Sequence, residues 1–135
     1  MNIELSDKEF RRLLDLVYVG NWVLNSARGS DRFEDYDDLQ EKMFALCAQN
    51  GMKDLYTTWY GHTFPSRAYE EGGIHEAIAD YEDAVFFDIL AEELARRDMH
   101  LEDTDPEDMT ELNHRMDEYI SEFEANGIDN LTIDI

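Results

Sequence analysis

His75-Glu76-Ala77-Ile78-Ala79 begins like the zinc-binding pattern H-E-x-x-H, in which two imidazoles on successive helical turns face one metal. Ala79 stands where the second His is required, so His75 reads as an exposed residue near a helix start. Glu111 and His114 have the E-x-x-H spacing of carboxylate-bridged di-iron bundles, which need two such elements plus a glutamate from each of two further helices. The second element is missing, and Leu112 and Met116 beside the first belong to an apolar stripe, which makes Glu111 and His114 a solvated helix edge. Asp103, Asp105 and Glu107 alternate like the opening of a calcium loop, but Asp108 occupies the place of the turn glycine and His114 that of the bidentate glutamate. Cys47, at helical spacing from Met43 and Leu46 and with no base near it in sequence, reads as a buried thiol. Gly72-Gly73 follows Glu70 and Glu71, which would repel phosphate. Among 33 acids, no particular carboxylate pair stands out as a glycosidase couple. The spacing therefore assigns no catalytic residue, no metal ligand and no cofactor.

Length and charge bound the remaining classes. A chain of 135 residues can bury roughly two thirds of its unfolded surface, so residues 1–135 are expected to form one globular domain. The lone Cys47 has no internal disulfide partner, and the opening MNIELSDKEF lacks the basic and apolar regions of a signal peptide, so a reducing cytoplasm is expected. No apolar run approaches the ~18 residues that cross a bilayer. An acidic surface is also repelled by anionic headgroups, and no membrane partner is expected. The net charge of −22, with 43% hydrophobic and 12% aromatic residues, describes a folded acidic domain rather than a disordered tail. Direct nucleic-acid binding is disfavoured, because it depends on Lys and Arg neutralising phosphates. Residues 70–126 carry twenty acids against Arg96, Arg97 and Arg115, which is 17 of the 22 excess negative charges.

Positioning these residues falls to a mainly helical α+β fold with about four helices, a short aromatic hairpin and short terminal strands. Ser6 and Glu9 have capping-box spacing and start a helix from Asp7 to about Ser26, with Phe10, Leu13, Leu14, Val17, Trp22 and Leu24 on an apolar face. Leu16, Val19 and Val23 widen that face, as expected of a central helix, and Gly20 inside it suggests a closely packed neighbour or a local irregularity. Tyr36, Leu39, Met43, Leu46 and Cys47 mark a second helix closed by Asn50-Gly51. A third covers 72–99 with Ile74, Ile78, Tyr81, Val85, Phe86 or Ile89, Leu90 and Leu94 inward; a fourth starts at Asp105-Pro106 and runs to Asn126-Gly127. Met1, Ile3 and Leu5, and Leu131, Ile133 and Ile135, alternate like two short strands that pair with each other.

The stretches IELSDKEFRRLLDLVYVGNWVLNSAR and YEDAVFFDILAEELARRD resemble those of small, acidic, helix-rich bacterial proteins of unassigned function, over a third of the chain. The resemblance implies a coherent domain in a bacterial cytoplasm. It brings no activity, ligand or catalytic residue to these positions.

One segment departs from the acidic pattern. LYTTWYGHTFPSRAY, residues 55–69, contains no Asp or Glu. LYTTWY suits a strand, Gly61-His62 a two-residue turn, and Thr63-Phe64 a return strand that Pro65 ends. Leu55, Trp59 and Phe64 could close one end of the core, yet Tyr56, Trp59, Tyr60, His62, Arg67 and Tyr69 exceed what one hairpin face buries, and such residues dominate contact sites. They are the candidate partner or ligand contacts, with Glu107, Glu111, Glu118 and Glu122 as an acidic steering face. The charge has a plain reading, solubility or adaptation to a salty cytoplasm, the latter in keeping with three Lys against eight Arg. The functional reading is a non-catalytic interaction module for a basic protein, of the inhibitor, immunity or DNA-mimic kind. The alternative is a small enzyme or small-molecule-binding protein with its pocket at residues 55–69. Nothing in the spacing selects an oligomeric state. Elemental analysis of protein purified without chelator should find no stoichiometric zinc or iron; one zinc or two irons per chain would contradict the motif analysis.

Overall fold

The computed structural model describes residues 1–134, and its contacts divide the chain into two compact units, Met1–Ile78 and Ala79–Ile135. The fold is mainly helical α+β, with helices α1 (Asp7–Asn25), α2 (Glu34–Ala45), the single turn α3 (Arg67–Tyr69), α4 (His75–Leu101) and α5 (Met109–Asn126), and a hairpin of β1 (Tyr56–Trp59) and β2 (His62–Pro65). The unit boundary falls within α4.

In the first unit, the expected capping box starts α1: Glu9 N donates to Ser6 Oγ at 3.1 Å and Ser6 N donates to Glu9 Oε1 at 3.0 Å. The buried face is Phe10, Leu14, Tyr18, Asn21 and Asn25, steps of four and three that form one stripe. Leu16, at 71% exposure, and Val23 point outward, so of the residues expected to widen the apolar face only Val19 packs against the core. A Cβ at Gly20 would meet nothing within 4 Å, so no neighbour packs closely there.

Two buried asparagines fix the connection to α2. Asn25, 1% exposed, donates from Nδ2 to Asn21 Oδ1 (2.7 Å) and the Phe33 carbonyl (3.1 Å), and its Oδ1 accepts from Phe33 N (2.8 Å). Asn21 Nδ2 donates to Asp37 Oδ1 at 3.0 Å and Gln40 Oε1 at 3.2 Å, and Arg32 grips the Asp37 carboxylate with two bonds of 2.9 and 2.8 Å. The Arg32 guanidinium, helped by Asn21 and Asn25, holds the Asp37 carboxyl down to about 2 against the burial that opposes it. Tyr36 and Leu39, expected inward, are exposed, whereas Phe44 is fully buried beside Met43. After Ala45 the chain tightens into a 3₁₀ turn, Leu46–Asn50, that buries Cys47 and ends on Gly51 at φ +70°, the expected glycine cap.

The hairpin pairs Tyr56 with Pro65 and Trp59 with His62, so its turn is Tyr60-Gly61, one residue before the expected Gly61-His62. Both turn residues have positive φ, 48° and 77°, as a type I′ turn requires. Beyond β2, Ser66 Oγ accepts from Tyr69 N at 3.1 Å and starts α3, which runs into a π-helical stretch, Glu70–Ile74. Gly73 at φ 112° turns the chain there, a conformation open to glycine, before α4 begins at His75.

In the second unit α4 buries Ala91, Ala95 and Met99, and α5 buries Leu112 and Phe123, with Met116 and Tyr119 alongside. The expected inward residues Tyr81, Phe86 and Ile89 are exposed; the buried stripe instead runs through Ala91, Ala95 and Met99. α5 starts at Met109 rather than at Asp105-Pro106: Asp108 Oδ1 accepts from Glu111 N at 3.1 Å, while Asp105 caps the preceding turn through Glu107 N at 3.0 Å. Neither terminus forms a strand among the described residues, and Ile135 lies outside them. Three alternating residues without a neighbouring ladder do not sustain a strand; Ile3 and Leu5 instead line a shallow cleft with Phe10, Leu13 and Met43.

Replacing Asn25 by Ala strands the backbone groups of Phe33 and should cost about 2 kcal/mol in urea unfolding. For Asp37, the folded-state pKa lies below the ordinary 3.8, so its contribution is present above that pH and disappears as pH falls towards about 2. The stability gap between wild type and Asp37→Asn should therefore close over that acid range. A gap that stays constant with pH would show that the carboxylate's charge is irrelevant.

Candidate functional site

The hairpin carries the exposed aromatics. Trp59 is 69% and Tyr60 83% exposed, with ring centroids 4.8 Å apart and planes at 64°. Trp59 therefore does not close the core, a task left to Leu55 and Tyr56, which pack against it. Phe64 is also exposed and lies 6.5 Å from the His62 ring. Glu41 ties this strand to α2: its Oε1 accepts from Thr63 N at 2.9 Å and lies 3.0 Å from His62 Nδ1. The Thr63 amide, and then His62, hold the Glu41 carboxyl below its ordinary range. The Glu41 carboxylate is thus already engaged.

The other contact candidates separate. Arg67 is well exposed but pairs with Glu71 at 2.7 Å, and the cleft it lines contains Glu70, His75 and Glu76 rather than the hairpin tip. Tyr69 is buried at 1% and is not a surface residue: its ring packs edge-on against Tyr18 and Phe44, and its hydroxyl donates to Asp15 Oδ1 at 2.8 Å. Burial, reinforced by the Asp15 carboxylate, pushes its phenol up. Cys47 is buried as well, which raises its thiol and removes it as a nucleophile.

On α5, Glu111, Glu118 and Glu122 line a groove of about 530 Å³ with Asp98, Arg115 and Tyr119, whereas Glu107 sits in the turn before the helix. Several of these acids are internally satisfied. Arg115 bonds Glu111 at 2.7 Å and also Glu102, His114 lies 3.2 Å from Glu118, and Glu122 accepts from Asn126 and Asn130. Glu111 and His114 therefore serve different partners and do not act as a ligand pair. Tyr119 and Arg97 both donate to Asp98, and they hold its carboxyl low although burial pushes the other way. Among the described residues no group of three or more His, Cys, Asp or Glu side chains is arranged to hold a metal ion.

A second cluster in the first unit was not visible in the sequence. Tyr18 Oη lies 2.6 Å from His75 Nε2 and 3.3 Å from Glu70 Oε2, and the His75 ring stands nearly perpendicular to Trp22 with centroids 4.7 Å apart. His75 is thus a half-buried partner of α1, not the exposed residue its position suggested. The π-helical stretch makes the meeting, because it sets Glu70 and His75 on the same phenol across Gly73. Burial, and next the Glu70 carboxylate, push the Tyr18 phenol up to about 12, so it remains a donor at neutral pH. With Nε2 bare the phenol donates to His75; with Nε2 protonated the ring donates to the phenol oxygen and the phenol donates to Glu70. The readable signals were Tyr18 and Trp22 one turn apart and Glu70-Glu71-Gly72-Gly73 ahead of His75.

No family model, curated protein or solved structure matches this chain. No helix is long and apolar enough to cross a membrane among the described residues. Tyr18→Phe keeps the ring packing and deletes the hydroxyl shared by His75 and Glu70; unfolding in urea should report a loss of about 1 kcal/mol. An unchanged midpoint would show that the phenol's hydrogen bond carries no net stability.

Proposed function

We propose that this protein is a non-catalytic interaction module whose partner is a basic protein, with the hairpin tip as the contact surface. The observation that carries the reading is Tyr60. A type I′ turn suits Asn or Gly at that position, and a tyrosine at φ 48° costs about 1–2 kcal/mol in a left-handed conformation. That cost supports no core packing, since the residue is 83% exposed and its ring meets Trp59, which is itself exposed. Large aromatics held rigidly outward suit a binding hot spot, where the loss of side-chain entropy on contact is small. The run free of Asp and Glu fits the same purpose, because an unpaired carboxylate desolvated at an interface centre costs several kcal/mol.

The partner's chemistry follows from charge. Twenty acids in residues 70–126 repel acidic proteins and nucleic acid and speed encounter with a basic surface. This field acts on association, while Trp59 and Tyr60 act on the lifetime of the complex.

The two roles can be tested separately on a purified basic partner. Tyr60→Asn should raise stability by about 0.5–1 kcal/mol through relieved turn strain, yet weaken binding together with Trp59→Ala by about 2 kcal/mol, mostly in the off-rate. Charge reversal at Glu107, Glu118 and Glu122, leaving Glu111 to hold Arg115, should slow association and flatten its salt dependence. Binding that ignores both sets of changes would overturn the reading.

A further inference from the structure

We propose that the cleft between α1 and the exit of the hairpin is a binding site for an organic cation, an ammonium or guanidinium head on a short alkyl chain. The cleft has a volume of about 340 Å³ and is lined by Tyr18, Trp22, Asn21, Pro65, Arg32 and Glu70, a size suited to a small ligand. Tyr18 and Trp22 stack with centroids 6.3 Å apart and planes at 23°, which builds an aromatic wall along α1. The electron-rich faces of such rings attract cations, tryptophan most strongly.

Glu70 supplies the charge. Glu70 lines this cleft and also another of about 550 Å³, and among the described residues no Lys or Arg nitrogen lies within 4.0 Å of its carboxylate; its neighbours are the Tyr18 phenol at 3.3 Å and His75 Nε2 at 3.9 Å. The adjacent Glu71, in contrast, is paired with Arg67. Arg32 also lines the cleft, but both arms of its guanidinium are committed to Asp37 at 2.9 and 2.8 Å, so it leaves Glu70 without an arginine partner. An anion entering here would face Glu70; a cation would meet that carboxylate and an aromatic wall together. The wall is already fixed, with Tyr18 bonded to His75 and His75 set against Trp22, so little ordering opposes binding.

The site uses neither Trp59 nor Tyr60, so it and the hairpin reading fail independently. The test follows the Trp22 indole N–H by NMR while putrescine, agmatine, N-acetyl-lysine methylamide and N-acetyl-arginine methylamide are added in turn, against sodium chloride of equal ionic strength. A saturable shift beyond the salt control is expected, weakened about fivefold or more in Glu70→Gln, which keeps an acceptor for Tyr18, and unchanged in Glu71→Gln. Tighter binding of the free amines would identify a small soluble cation as the source, and tighter binding of the capped amino acids a side chain of a protein; either order supports the site. Absence of a saturable shift in the wild-type protein, or equal affinity in Glu70→Gln, would overturn it.

Discussion

Burying one phenol organises the first unit. Tyr69 closes the aromatic core between α1 and α2, with its ring 5.3 Å from Tyr18 and 5.0 Å from Phe44, and at 1% exposure its hydroxyl has no access to water. A buried hydroxyl without an acceptor would cost about 1–3 kcal/mol, so Asp15 must come to it from α1. That carboxylate, itself withdrawn from solvent, then needs counter-charge. Arg11 supplies it at 2.5 Å and Arg12 at 3.3 Å, and the Arg11 guanidinium also sits 4.7 Å over the Tyr69 ring. In a chain of net charge −22, two of its eleven bases are thus committed to one carboxylate that serves a tyrosine more than fifty residues away. The residues after Tyr69 inherit its position: with α3 pinned at both its Ser66 cap and its Tyr69 core contact, the π-helical stretch carries Glu70 back to Tyr18, and His75 follows one turn later.

How much of this was legible depended on whether a signal was local. Ser6 and Glu9 announced the start of α1, Gly51 the end of the second helical segment, and the β-branched and aromatic run the existence of a hairpin, because caps and turn-flanking propensities act within a few residues. The turn's register was not legible: Gly61 fits either position of a two-residue turn, and the pairing of Trp59 with His62 decided it. Asn21 and Asn25 carry no such signal, because polar residues on a helix read as solvated unless an unpaired loop backbone needs them. Ala91 and Ala95 are illegible for the opposite reason, since an apolar stripe is weighed by bulk, which small side chains lack even where they are fully buried. For the site residues the limit was the same. Trp59 and Tyr60 stood out by type, but composition could not separate them from Tyr69, which differs only in having a core to enter.

The second unit faces a physical problem that its core only partly solves. Residues 79–134 build two helices whose buried residues are few, Ala91, Ala95, Met99, Leu112 and Phe123, while their surface carries most of the chain's excess negative charge. Like charges on adjacent turns repel, and the three arginines are spent locally: Arg96 on Glu92, Arg97 on Asp98, and Arg115 on Glu111 and Glu102. The remaining repulsion is lowered by mobile counter-ions, so the stability of this helix pair should rise with ionic strength over the range in which exposed charges are screened. A basic surface does the same work with fixed charge, and any species that binds the folded helices and not the unfolded chain stabilises them by mass action. The acidic face and its thin core are therefore two sides of one arrangement. If the proposed partner is basic, docking would relieve the repulsion that the isolated helices carry.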